Sequence, residues 1–131
     1  MPARALTSTA TLCIRSGAIL AGLAVIAGAF GARALKDALP PADLDIFENG
    51  VRYQMYHVLA LLLCCAIAPH IGRPRLVANS FIWGTVIFSG SLYLLVLTGT
   101  RKFGMITPIG GTLMIVGWIA LALSVSPSIR S

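Results

Sequence analysis

Four long stretches without a charged residue dominate the chain, at 16–32, 53–72, 76–100 and 103–129. Each lies between basic residues: Arg15 and Arg33, Arg52 and Arg73, Arg75 and Arg101, Lys102 and Arg130. A helix that crosses the hydrocarbon core needs about 20 mostly apolar residues, within a range of about 17–25. All four stretches meet that requirement. Backbone N–H and C=O groups find no water there, so each stretch must satisfy its own as a helix. A transmembrane barrel would show alternating segments of about ten residues, whereas these runs are continuous. The pattern predicts an all-α membrane protein, an antiparallel four-transmembrane-helix bundle forming one domain over 1–131. The spans are expected at approximately 14–34, 53–70, 77–99 and 105–126.

The connections differ in kind. The segment 33–52 holds all four acidic residues, Asp37, Asp43, Asp45 and Glu48, and the pair Pro40-Pro41. Proline stops one helix and suits the first turn of the next. Leu44, Phe47 and Val51 then recur at helical spacing, with the acids elsewhere on the wheel. This predicts a short amphipathic helix over 41–49 lying at the interface, with a bend at Gly50 into the second span. The connections at 71–75 and 100–103 are tight turns that force their neighbours antiparallel. A cleaved signal peptide is a weaker reading of the first stretch. Arg4 and Arg15 precede it and Ala27-Gly28-Ala29 resembles a cleavage site, but the run is rich in Ala and Gly rather than Leu.

Composition supports lipid as the surroundings. Hydrophobic residues make up 57% of the chain and charged residues 11%, against about a quarter charged in soluble domains. The net charge of +6 does not indicate nucleic acid, because the basic residues sit singly or in pairs at the ends of apolar runs, where they anchor helices at headgroups. Cys13, Cys64 and Cys65 show no zinc or redox spacing and read as small core- or lipid-facing residues. Even-numbered crossing places Arg4, Arg15, Arg73, Arg75 and Arg130 on one side, and Arg33, Lys36, Arg52, Arg101 and Lys102 on the other. With the basic residues so balanced, the positive-inside rule does not choose an orientation. The acidic first loop leans towards both termini being cytoplasmic.

Two features carry packing or chemistry. On the first span Gly17, Ala21, Ala24, Gly28 and Gly31 fall at spacings of four, three, four and three, a helix-packing seam that lets two backbones approach closely. Internal packing is the expected use of this seam, ahead of a homo-oligomer contact. Gly110 and Gly117, one heptad apart, offer a second. Then Arg52, Tyr53, Tyr56 and His57 open the second span, Ser89, Ser91 and Tyr93 lie late in the third, and Thr107-Pro108 opens the fourth. Tyr53, Tyr56, His57, Ala60 and Cys64 share one face, and Glu48 is placed to pair with Arg52 four residues on. Antiparallel helices bring the second span's start, the third's end and the fourth's start to one membrane face. Arg52, Tyr53, Tyr56, His57, Ser89, Ser91, Tyr93 and Thr107 are therefore expected to converge in one leaflet, as a ligand- or lipid-binding cluster or as a closed structural network. The other leaflet offers little beyond Cys13, Arg15, His70 and Asn79.

No catalytic set is visible. The spans hold no Asp or Glu, no metal-ligand spacing occurs, and no phosphate loop follows a strand. The serines around Gly90 lack the flanking pattern of a nucleophile elbow. The chain is thus expected not to be an enzyme and to need neither cofactor nor metal.

The blocks Gly28-Ala29-Phe30-Gly31-Ala32, Phe47-Glu48-Asn49-Gly50-Val51-Arg52-Tyr53-Gln54-Met55-Tyr56-His57, Phe88-Ser89-Gly90-Ser91-Leu92-Tyr93 and Thr107-Pro108-Ile109-Gly110-Gly111 resemble the signature of the domain of unknown function 423 family, which includes YgdD-like bacterial membrane proteins and the animal transmembrane protein 256. The resemblance covers nearly the whole chain. It implies a small four-helix membrane protein and no established activity, substrate or cofactor. Two departures show: Arg33 stands where the pattern tends to have His, and Asn49-Gly50 where it tends to have Ala or Thr. A role needing a neutral imidazole at the first position fails here, whereas one needing a cation survives.

The expected function is that of a structural or accessory membrane protein of the bacterial inner membrane, with membrane lipids, a second copy or a partner subunit as partners. A small oligomeric transporter or channel subunit, with Arg52 and His57 lining the path, is the rival. A path needs polar groups at the midplane and in both leaflets, and the sequence concentrates them in one.

Overall fold

The computed structural model describes residues 8–125. Arg4, Ser126 and Arg130, which enter the expected spans and charge balance, lie outside the described residues. The chain runs α1 (Ser8–Val25), a π-helical segment (Ile26–Gly31), α2 (Ala32–Leu35), α3 (Pro41–Ile67), α4 (Pro74–Thr98) and α5 (Thr107–Ser124), with short 3₁₀ turns at Ala68–His70 and Arg101–Met105. Four helical rods long and apolar enough to cross a membrane result, Ser8–Leu35, Pro41–His70, Pro74–Thr98 and Arg101–Ser124. Each contains the core of one expected span.

The separate interfacial helix is not seen. Pro41 occupies the first turn of α3, which continues unbroken through Gly50 to Ile67. Glycine there costs helix propensity, but it admits Tyr93: a Cβ on Gly50 would lie 2.9 Å from Tyr93 Cε1. Close packing, not a bend, is the use of this residue. At 1.5 Å per residue, the 27 residues of α3 extend about 40 Å, more than the ~30 Å hydrocarbon core. That surplus is enough for the first turns of α3, which carry Asp43, Asp45 and Glu48, to extend past such a core. There Asp43 accepts a 3.1 Å hydrogen bond from Arg101 at the α4–α5 turn.

The helices pack in the order of the chain. α1 lies on α3, α3 on α4, and α4 on α5. The small-residue seam of the first rod faces α3: Gly17 meets Leu62, Gly28 meets Val51 and Gly31 meets Phe47. Ala24 is buried and Ala21 half-buried. The π-helical turn, with Ala32 N–H bonded to Ala27 O, falls where this seam is richest in Gly and Ala. Hydrophobic periodicity gives no signal for such a turn. The closest approach is between α4 and α5. A Cβ on Gly110 would sit 2.4 Å from Phe88 N, and one on Gly84 would sit 2.9 Å from Met114 N. Gly117 fits against the Phe81 ring.

Two apolar clusters fill the bundle. One, nearer the chain ends, contains Cys13, Leu61, Cys64, Val77 and Phe81. The other, near the opposite face, contains Phe47, Leu95 and Val96. At the chain-end face, Gly72 N–H donates to Ser124 O at 2.9 Å and Ile71 pairs with Val125, which ties the α3–α4 turn to the end of α5.

Candidate functional site

In the half nearest the α4–α5 turn, polar side chains join all four rods. Gln54 on α3 is buried. Its side-chain N–H donates to Leu20 O on α1 at 2.6 Å, and its carbonyl accepts from the Tyr93 hydroxyl of α4 at 2.7 Å. Tyr93 also stacks at a tilt on Phe47, with ring centroids 5.1 Å apart. Ser89, one turn along α4, donates to Gly50 O at 2.6 Å. Ser91, on the opposite side of α4, donates to Phe88 O at 2.8 Å and meets Thr107 of α5 at 2.5 Å. Thr107 Oγ1 also lies 3.5 Å from Phe103 O, so either hydroxyl can donate in the Ser91–Thr107 pair.

His57 belongs elsewhere. Trp118 Nε1 points at His57 Nε2 at 3.1 Å. An indole nitrogen only donates, so Nε2 accepts and the proton sits on Nδ1, which donates to Tyr53 O at 2.7 Å. The ring is a neutral imidazole with both nitrogens used. It lies edge-on to Phe81 and Trp118, in the halves of α4 and α5 nearer the chain termini.

Arg52 and Tyr56 join neither group, and Tyr53 meets His57 through its carbonyl and by ring stacking at 6.3 Å. The Arg52 side chain is 59% exposed and reaches back along its own helix to Asn49 at 3.1 Å and Glu48 at 3.9 Å. Tyr56 is exposed, and Tyr53 lies on the bundle's edge against Phe88. The structure thus brings Ser89 and Tyr93 to the Gly50–Gln54 stretch and pairs Ser91 with Thr107 on the other side of α4, while His57 packs with Phe81 and Trp118 and Arg52 and Tyr56 are exposed. The buried stripe of α3 runs Phe47, Gly50, Gln54, His57, Val58, Ala60, Leu61 and Cys64. It takes in His57, Ala60 and Cys64 of the expected face but leaves out Tyr53 and Tyr56, and it includes Gln54. That amide, spaced four residues from Gly50 and seven from Leu61, is the signal that would have identified the stripe.

Beside the network α1 and α4 part, leaving a crevice of about 450 Å³ lined by Leu20, Leu23, Ile26, Val86, Gln54 and Tyr93. Thr85 sits at its wall, and its hydroxyl is the one buried side-chain polar atom without a partner among the described residues. Among the described residues no group of three or more His, Cys, Asp or Glu is placed to hold a metal ion. Cys13 and Cys64 are buried and Cys65 half-buried, all as free thiols.

Comparison with known proteins agrees with this architecture. A family profile described as "Protein of unknown function (DUF423)" matches residues 27–111, which include Gln54, Ser89, Tyr93 and Thr107. A UPF0382 membrane protein of Staphylococcus aureus (strain bovine RF122 / ET3-1) is 44% identical over 117 residues, covering 86% of this chain and 93% of that protein. The UPF0382 membrane protein YwdK of Bacillus subtilis (strain 168) is 40% identical over 111 residues, covering 82% and 90%. One from Haemophilus influenzae is 40% identical over 99 residues, covering 75% and 80%. No solved structure matches. With four membrane-length helices and a match across most of its length, the chain is an integral membrane protein that belongs to the DUF423 family, a family of unknown function.

Proposed function

We propose that the protein is a non-catalytic structural or accessory component of the bacterial plasma membrane, with both termini in the cytoplasm. The observation that carries this reading is closure of the polar network. Gln54, His57, Ser89, Ser91, Tyr93 and Thr107 all hydrogen-bond within the chain. A substrate or ion that used these groups as its path would compete with bonds already made inside the chain. Low-polarity surroundings make such an exchange unfavourable, since a buried polar group left unpaired costs about 1–3 kcal/mol. Such a network fixes the helices in one register, which suits a rigid platform for lipid or a partner subunit.

The transporter reading draws no support from the residues it needs. Arg52 points outwards, and His57 has no free nitrogen with which to take up and release a proton along a path. The small-residue seam meets α3 at Gly17, Gly28 and Gly31, which favours internal packing over a homo-oligomer contact. The cytoplasmic placement of the termini rests on the acidic first loop, and the bacterial membrane on the relatives' sources.

Proteoliposomes loaded with a pH-sensitive dye test the non-conducting reading. Proton flux is expected to equal that of empty vesicles, before and after His57→Phe. Flux above that baseline that disappears with His57→Phe would replace this reading with the transporter. Topology reporters test the orientation. A fluorescent protein fused after the C-terminus should fold and fluoresce, and alkaline phosphatase inserted at Asn49 should be active; the reverse pattern inverts the assignment.

A further inference from the structure

The second membrane face, which the sequence leaves almost without polar features, carries an excess of positive charge above an apolar groove. All four acidic residues of the chain lie between Asp37 and Glu48, at the other face. Arg73 and Arg75 stand at the start of α4 with no acidic partner among the described residues. The Arg73 side chain makes no hydrogen bond or ion pair among the described residues, and that of Arg75 reaches only Ser8 Oγ, at 2.9 Å. Below them α4 and α5 diverge into a hollow of about 630 Å³. Its α5 wall is the stripe Val116, Ile119, Ala120 and Leu123, and Leu76 forms the α4 wall. A second hollow of about 530 Å³ at the mouth shares Arg73 and Leu76 with the first and adds Arg75. The Gly72–Ser124 bond closes the end of the helix pair and holds the arginines over the groove.

We propose that this face binds an anionic phospholipid, its phosphate between Arg73 and Arg75 and one acyl chain in the α4–α5 groove. The chemistry matches at both ends. Guanidinium groups form forked hydrogen bonds to phosphate, and no carboxylate described on this face competes for them. The groove wall from Val116 to Leu123 extends about 10 Å along the helix axis, enough for the upper half of an acyl chain. A zwitterionic lipid would fill the same groove but leave the two cations without net counter-charge. The site goes beyond the proposed accessory role and holds whichever compartment this face meets.

Native mass spectrometry of the full-length protein in detergent, titrated with dioleoyl phosphatidylglycerol or dioleoyl phosphatidylcholine, provides the test. The phosphatidylglycerol adduct is expected to be favoured roughly thirtyfold, the factor that two interfacial arginines supply at an anionic headgroup. Arg73→Gln with Arg75→Gln should abolish the preference, while Arg52→Gln at the other face should leave it intact. Should the double variant fail to fold for want of the Arg75–Ser8 bond, Arg73→Gln alone carries the test, because the Arg73 side chain bonds nothing described in the chain. Val116→Trp, which fills the deep end of the groove, should lower binding of both lipids. Equal binding of the two lipids, an equal loss with Arg52→Gln, or full binding by Val116→Trp would each overturn the site.

Discussion

Gly110→Ala should destabilise the detergent-solubilised protein more than a methyl added at any other glycine of the bundle, by about 3 kcal/mol or more, at the upper end of what overpacking costs. The added Cβ would lie 2.4 Å from Phe88 N, 2.8 Å from Gly84 O and 2.8 Å from Phe88 Cα. Those three atoms are backbone, so no rotamer change relieves the contact and α4 and α5 must move apart. Such a separation also loosens the Ser91–Thr107 pair and the seat of Gly117 on Phe81. In lipid this matters more than in water. Helix pairs are held there by van der Waals contact and hydrogen bonds, not by exclusion of water, so lost approach is lost stability. Gly90→Ala is the internal comparison, because its Cβ would meet nothing within 4 Å and alanine favours helix by about 1 kcal/mol. Thermal unfolding of the two variants in one detergent decides the matter. If Gly110→Ala melts with Gly90→Ala, the close α4–α5 approach is wrong.

The spans were legible because lipid selects on composition, and uncharged runs bounded by arginine need no further decoding. The seam from Gly17 to Gly31 was legible for a related reason: small residues at helical spacing have few uses in a membrane other than close approach. What stayed hidden is which face of each helix points inwards. In a soluble helix, polar residues mark the outside. In a bundle surrounded by lipid, Leu59 and Leu63 face outwards while Leu61 and Val58 face inwards, and hydrophobicity cannot tell them apart. Tyr53 and Tyr56 therefore read as site residues, and in the structure both are exposed. His57 shares that reading but turns inwards, to Phe81 and Trp118. Gly50 misleads through propensity alone: glycine marks bends in isolated chains, but here Tyr93 occupies the space a side chain would need.

Removing the central amide is the second large effect. Gln54→Leu should cost about 1–3 kcal/mol, because it strands the Tyr93 hydroxyl in the bundle. It also removes the polar tie between α1 and the rest of the bundle at mid-membrane. Tyr93→Phe leaves the Gln54 carbonyl without its donor and should cost about 1 kcal/mol. Because each single change already breaks the shared hydrogen bond, the double variant should be less destabilised than the sum, by a coupling of about 1 kcal/mol. Ser91→Ala, whose bonds to Phe88 O and Thr107 lie on the other side of α4, serves as a partner outside the Gln54–Tyr93 network and should add independently. Hydrogen exchange separates the two halves of the amide's role. Gln54→Leu should speed exchange along α1, whereas Tyr93→Phe, which leaves the Leu20 contact in place, should not. Strict additivity of Gln54→Leu and Tyr93→Phe, with α1 exchange unchanged, would mean that the amide does not bridge the helices.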